Sequence, residues 1–240
     1  MPTERFSLDT IGIVHSCFKE KFGIPRQPGL APAAQARLEL LPPFNRPEAV
    51  EGLSGSSHVW LHFIFHQSLT QTWKPTVRPP RLGGNKRMGV FATRSPVRPN
   101  GLGLSVVKLE RVEASGTSVI LHLSGVDLVD GTPVVDIKPY VPYVDMVAEA
   151  TNQFADAVPP FIEVLVPEAL AVFCEDYQRA CGVDLQALLT QVLRQDPRPQ
   201  YQQPDPDRVY GMRLLEFNVR WRYLVEGSGW KIQLEEIAEL

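Results

Sequence analysis

Residues 58–67 read HVWLHFIFHQ. Val59, Leu61, Phe63 and Phe65 alternate with His58, Trp60, His62, Ile64 and His66, so one set faces a core and the other faces away. Aromatic and branched side chains suit that pleated, half-buried surface, and the stretch reads as a buried strand. Three further strand-like runs follow: LSVVKLERVEA (104–114), SVILHLSGVDLV (118–129) and TPVVDIKPYVP (132–142). Turn signals separate them at intervals of ten or so residues, the spacing of a barrel or sandwich.

Working outward, FSLDTIGIVHSC (6–17) and RLELL (37–41) add strands, and RPEAVEGL (46–53) fits a short helix. Between the first two lies a loop containing Pro25 and Pro28, which exclude ladder pairing. A long basic loop over 73–88 precedes MGVFAT (88–93), read as a strand. Composition changes near 145–160. Beyond it, 167–180 and 184–195 carry helical spacing, with Pro167 at a first turn and Gly182 as a stop. Residues 213–237 read as a hairpin turning at Gly227–Gly229. The expectation is a mainly β chain: a barrel-like domain over 1–150 and a small α+β domain over 160–240.

The 44% hydrophobic content is that of a globular protein. No apolar run approaches the roughly 18 residues that span a bilayer, and MPTERFSLDT lacks the layout of a secretory signal. Cys17, Cys174 and Cys181 cannot all pair and have no metal-ligand spacing, which suits a reducing cytoplasm. Charge is uneven. Between Glu51 and Glu110 there is no acidic residue, while Lys74, Arg78, Arg81, Lys86, Arg87, Arg94, Arg98 and Lys108 all fall there. A net charge of −3 therefore conceals a tract suited to an anionic partner, phosphate or RNA.

Several familiar chemistries are excluded. His58, His62 and His66 recur every four residues, but on a strand that spacing is roughly 13 Å, too far for two ligands of one ion. Gly101-Leu102-Gly103 starts like a dinucleotide turn, yet a strand follows where a helix is needed, so no Rossmann site forms. His15-Ser16-Cys17 is adjacency rather than a triad, and no nucleophile elbow occurs. What remains are polar clusters on loops: Pro25-Arg26-Gln27, His66-Gln67, Arg94 with Arg98 and Asn100, and Asp127 to Asp130.

At these residues the chain resembles the TsaA-like, or TrmO-like, tRNA adenine-N6 methyltransferases. The matching strings are KEKFGIPRQPGL (19–30), HVWLHFIFHQ (58–67), residues 73–107 and DLVDGTPVVDIKPYVPYVD (127–145), with QDPRPQY (195–201) and FNVRWRY (217–223) beyond. The resemblance implies a non-Rossmann, barrel-like methyltransferase, homodimeric, that uses S-adenosylmethionine and no metal. Its acceptor would be N6 of threonylcarbamoyladenosine at position 37 of tRNA, in the anticodon stem-loop, and its small C-terminal domain would help hold that tRNA. Cofactor contacts are implied for Pro25, Arg26, Gln27, His66, Gln67, Arg94, Leu104, Asp127, Leu128, Val129 and Asp130. The family often carries a proline or branched residue where Gly101-Leu102 stands here, which alters the loop near Leu104.

Within that frame, Asn100, Asp136 and Tyr140 are the catalytic candidates for orienting or removing the acceptor proton. Arg98 or Lys138 would meet the threonyl carboxylate, and Trp73 or Tyr140 would stack an unstacked base. Lys74, Arg78, Arg81, Lys86, Arg87, Arg98, Lys138, Arg198 and Tyr201 are the expected RNA contacts, with an interdomain brace as the other role for the 196–201 loop. Two rival readings stand: an RNA-binding module without catalysis, and a methyltransferase of this fold with another substrate.

Overall fold

A computed structural model describes residues 6–70, 72–79, 86–155, 157–199, 201–227 and 229–240. The alternating strand is β3 (His58–Ile64), with Val59, Leu61 and Phe63 buried and the intervening side chains outside. It joins β1 (Gly12–Ser16), β2 (Gln35–Leu40), β6 (Leu102–Ser115), β7 (Ser118–Ser124) and β8 (Thr132–Pro139) in a closed antiparallel barrel of order β1-β2-β7-β6-β3-β8. Val14, Leu38, Val59, Leu61, Val119, Leu121 and Val134 fill it, each without solvent exposure. Closure leaves no edge strand, so the barrel needs no partner to satisfy its backbone.

Two short segments differ from expectation. Of MGVFAT only Met88–Gly89 is a strand, β5, paired to β4 (Thr76–Val77); Val90–Ala92 closes into a 3₁₀ turn. Buried Val90 anchors that turn, and the Thr93 hydroxyl donates to the Val90 carbonyl at 2.9 Å. Residues 46–53 form 3₁₀ turns rather than an α-helix, and a one-turn helix α1 (Pro142–Asp145) follows β8.

The C-terminal unit begins with β9 (Glu163–Leu165), then α2 (Glu168–Cys181) and α3 (Leu185–Leu193). The Asp184 carboxylate caps α3 by accepting from the Ala187 N–H at 2.9 Å, and Leu185, Leu188, Leu189, Val192 and Leu193 are its buried face. Three antiparallel strands complete it, β10 (Tyr210–Leu214), β11 (Phe217–Glu226) and β12 (Gly229–Glu239), where the sequence pattern suggests one hairpin; β9 adds in parallel to β12. The extra turn lacks Gly or Pro. Leu215 takes a left-handed φ of 54° instead, and its N–H donates to the Cys17 carbonyl of the barrel at 2.7 Å.

That bond is one of several across the seam. Phe18 bridges Leu214, the Arg213 N–H donates to Glu20 at 2.9 Å, and the Ala33 N–H donates to Gln191 at 2.7 Å. One apolar cluster runs from Val14 and Leu61 of the barrel to Leu189 and Trp221 of the C-terminal unit.

Candidate functional site

In an antiparallel barrel every second connection leaves at the same end. The β1–β2, β3–β6 and β7–β8 connections are therefore neighbours, and they carry Pro25-Arg26-Gln27, His66-Gln67 with Arg94 and Asn100, and Asp127 to Asp130. Clusters up to about a hundred residues apart in sequence meet there because strand parity requires it.

The contacts are specific. Arg94 donates to the Gln27 side-chain carbonyl at 2.6 Å, linking the first two connections. The Ser105 hydroxyl, facing inward from β6, donates to Asp127 at 2.7 Å. Burial pushes the Asp127 carboxyl up to about 6, against the pull of Ser105 and the nearby Arg94 guanidinium. Asp130 instead faces the end of β1, accepting from the Ser16 N–H at 2.8 Å and pairing with Lys19 at 3.0 Å. The Leu128 carbonyl accepts from the Ser16 hydroxyl at 2.7 Å, and the Val129 carbonyl from Thr132 at 2.6 Å, so 128–130 brace the β7–β8 turn. Gln67 receives Lys21 on its backbone carbonyl at 3.1 Å, and His66 Nδ1 is buried without a partner.

Beside this cluster opens a cleft of about 920 Å³. Arg26, Gln27 and Leu30 form one wall, Arg78, Met88 and residues 91–96 another, and Phe154, Val158 and Phe161 of the connecting segment, with Gln195, the third. Gln195 opens the QDPRPQY string that carries the resemblance, but nothing in that string assigns it to the cleft. Its amide nitrogen donates to the Leu30 and Gln191 carbonyls, while its oxygen is buried and unpartnered. Phe91 is likewise hidden within a strand-like run; it stands 75% exposed at the cleft.

Other expected residues lie elsewhere. Leu104 projects from the outer face of β6, opposite His62. Asp136 sits on the outer face of β8, 3.9 Å from His62 and paired with Lys138. Tyr140 follows β8 at the far end of the barrel, its ring 6.0 Å from Trp60 and its N–H bonded to the His58 carbonyl. Seven-residue β3, about 20 Å long, separates it from His66, so Asn100, Asp136 and Tyr140 are not brought together within one chain.

Of the cationic set, Lys74, Arg78, Lys86 and Arg87 are exposed on and beside the β4–β5 loop, Lys86 over the Phe154 ring at 5.2 Å; Arg81 lies outside the described residues. Arg98 donates to the Thr93 and Ser95 carbonyls at 3.2 and 3.3 Å and braces that turn. Arg198 is largely buried, paired with Asp196 at 2.9 Å, the geometry of a brace; Tyr201 is exposed.

The cluster fits a zwitterionic sulfonium donor. Asp127 offers a carboxylate to a cation, Arg94 and Gln27 offer donors to a carboxylate, and the unpartnered His66 Nδ1 and Gln195 oxygen are polar groups with hydrogen-bonding capacity to spare. Nucleophilic chemistry is not supported at Cys17, whose thiol burial pushes up to about 12. Among the described residues no three His, Cys, Asp or Glu side chains could hold a metal ion, and no helix could cross a membrane.

Comparison with known proteins identifies the family and the fold. The family model for the tRNA-methyltransferase O N-terminal domain matches residues 13–146, and that for the TrmO C-terminal domain matches 159–236. The tRNA (adenine(37)-N6)-methyltransferase of Escherichia coli is 45% identical over 95% of this chain and 96% of its own length. A Pseudomonas aeruginosa protein named as a candidate S-adenosylmethionine-dependent methyltransferase, RcsF, is 55% identical over 90% of this chain and 92% of its own. The crystal structure of TrmO from Pseudomonas aeruginosa superposes with a TM-score of 0.82 at 46% identity, covering 98% of this chain and 99% of that one. By both its barrel and its C-terminal unit, the chain belongs to the tRNA-methyltransferase O family.

Proposed function

We propose that the chain methylates N6 of adenine 37 of tRNA, and that this adenine carries a threonylcarbamoyl group, giving N6-methyl-N6-threonylcarbamoyladenosine. The observation that carries the reading is the junction of Gln27, Arg94 and Asp127 beside a cleft whose other wall belongs to the acid-free basic tract. When bound there, S-adenosylmethionine supplies an electrophilic methyl group. The chain's own residues hold and align. Arg94 and Gln27 would bind a carboxylate, Asp127 a cation, and the apolar wall around Met88 and Val158 would exclude water.

RNA phosphates would be neutralised by Lys74, Arg78, Lys86 and Arg87, with the C-terminal unit assisting through Tyr201. A tRNA substrate would be met in the cytoplasm. Self-association as a homodimer is supported by Leu102 and Leu104, which expose apolar surface on the outer face of β6. A dimer would also explain why Asp136 and Tyr140 lie away from the cluster: they would serve a partner's site.

Calorimetric titration with S-adenosylmethionine, then S-adenosylhomocysteine, tests the donor; micromolar binding is about −8 kcal/mol. Methyl transfer to threonylcarbamoylated and to unmodified tRNA then tests the acceptor. Donor binding with equal turnover on both RNAs would remove the threonylcarbamoyl requirement. No donor binding, with or without tRNA, would leave an RNA-binding module.

A further inference from the structure

The β4–β5 ladder pairs Thr76 with Gly89 and Val77 with Met88, and the Val90 N–H donates to the Pro75 carbonyl at 3.0 Å. These bonds draw Trp73 and Phe91, eighteen residues apart, to a ring separation of 6.4 Å with planes inclined by 32°. Neither ring is buried: Trp73 is half exposed and Phe91 three-quarters exposed. The backbone around Phe91 is nonetheless firmly held. Val90 is anchored in the interior, Thr93 caps the 3₁₀ turn, and Arg98 clamps the 93–95 backbone with two hydrogen bonds. Phe91 is thus presented to solvent by a braced turn, at a cleft that Arg78 and Arg94 also line, with the exposed Trp73 ring beside it.

We propose that Phe91 and Trp73 form a stacking site for an unstacked nucleobase of the RNA acceptor. The proposal rests on the proposed tRNA methyl transfer and specifies how the cleft grips that substrate. A nucleobase is favoured over a protein side chain by charge, because Arg78 and Arg94 line the cleft and residues 52–109, which supply that wall, carry eight cations and no carboxylate, a balance that complements phosphates. The acceptor's base is favoured over the donor's adenine by depth: Asp127 is held in the interior by the inward-facing Ser105, whereas Phe91 stands three-quarters exposed, where a polymer arrives from outside. Aromatic faces stack any base, and orientation would come from polar groups deeper in the cleft.

The test uses the full chain and a synthetic anticodon stem-loop with 2-aminopurine in place of the acceptor adenine. Phe91→Ala should weaken stem-loop binding roughly 10-fold, raise the fluorescence of the bound 2-aminopurine, and leave the calorimetric affinity for S-adenosylmethionine unchanged. Phe91→Tyr should restore both RNA readouts. The ring is exposed, so the variant should fold, and equal melting temperatures would establish it. An equal loss of donor affinity in Phe91→Ala would assign the ring to the donor's adenine and overturn the proposal. Unchanged RNA affinity and fluorescence would overturn it too, as would a shift in oligomeric state, which would assign the rings to a second copy. Failure of the wild-type chain to bind the stem-loop at all would sink the functional reading itself.

Discussion

The Tyr223 hydroxyl donates to Asp196 at 2.8 Å, across the gap between β11 and the loop that follows α3. Asp196 holds a left-handed φ of 53°, unusual for a residue with a side chain, and is paired on its other oxygen with Arg198. Burial first, then the Asp196 charge, raises the Tyr223 phenol above its ordinary range, so it remains a donor. The turn so fixed offers the Asp196 and Arg198 carbonyls to the Arg26 guanidinium at 3.4 Å each. A strand of the C-terminal unit thereby positions the first loop of the barrel site.

Removing Asp196 would strand Arg198 in a largely buried position. Asp196→Ala should lower unfolding free energy by about 3 kcal/mol, and Tyr223→Phe by about 1 kcal/mol, both read from urea midpoints. Asp196→Ala should also weaken S-adenosylmethionine binding more than Tyr223→Phe does. A variant that loses stability while keeping full donor affinity would show that the turn does not position Arg26.

Asp127 makes stability depend on pH in an unusual direction. Its native carboxyl titrates at about 6, above the ordinary aspartate range near 4, because burial disfavours the charge. Between those values the native chain binds a proton that the unfolded chain does not. The group's stabilising contribution is therefore full below pH ~4 and lost as pH rises through 6, up to about 3 kcal/mol. Asp127→Asn keeps an acceptor for Ser105 and should be more stable than wild type at pH 7.5, with the advantage vanishing toward pH 4. Donor binding should run the other way: wild-type affinity for the sulfonium should fall below pH 6, and Asp127→Asn should lose affinity for S-adenosylmethionine more than for uncharged-sulfur S-adenosylhomocysteine. A flat pH profile for the wild type would exclude Asp127 from the cation's site.

Gly103 tests the barrel wall. A Cβ there would meet the Phe63 ring at 2.3 to 2.9 Å, closer than any real contact. Gly103→Ala should cost about 1–3 kcal/mol, and Phe63→Leu in the same chain should recover part of it. Full stability of Gly103→Ala alone would mean that the ring moves freely aside.

How much of this is legible in sequence follows from which forces are local. Alternation in 58–67 reports the barrel because a two-residue period is written into the chain, and Asp184 and Gly182 mark helix ends for the same reason. The polar clusters can be found one by one, and parity of the strands then explains why they meet. Three things stay hidden. The turn at Leu215 is stabilised by Cys17, at the opposite end of the chain. Val90 leaves a promising strand because its side chain finds a tertiary pocket, which exposes Phe91. Gln195 reaches the cleft only because α3 docks against the Leu30–Ala33 loop. Gly101, by contrast, shows its reason locally: φ is 59° at the turn into β6, where a proline or branched residue could not sit unchanged.

Arg94 and the Lys86-Arg87 pair divide donor from RNA. All three are exposed, but Arg94 is tied to Gln27 and lies near Asp127, so it belongs to the polar cluster, while Lys86 and Arg87 lie on the loop before β5. Arg94→Ala should therefore weaken S-adenosylmethionine binding more than stem-loop binding. Replacing Lys86 and Arg87 with Gln should do the reverse. It should also flatten the salt dependence of RNA binding, because each phosphate left without its cation takes roughly 0.7 off the slope of log K against log salt on single-stranded RNA. Measuring both affinities for each variant between about 50 and 200 mM salt, a range over which ~6–10 neutralised phosphates would change affinity by orders of magnitude, separates the roles. Equal losses of donor and RNA affinity in all variants would refute the division and point instead to one cation surface shared by both ligands.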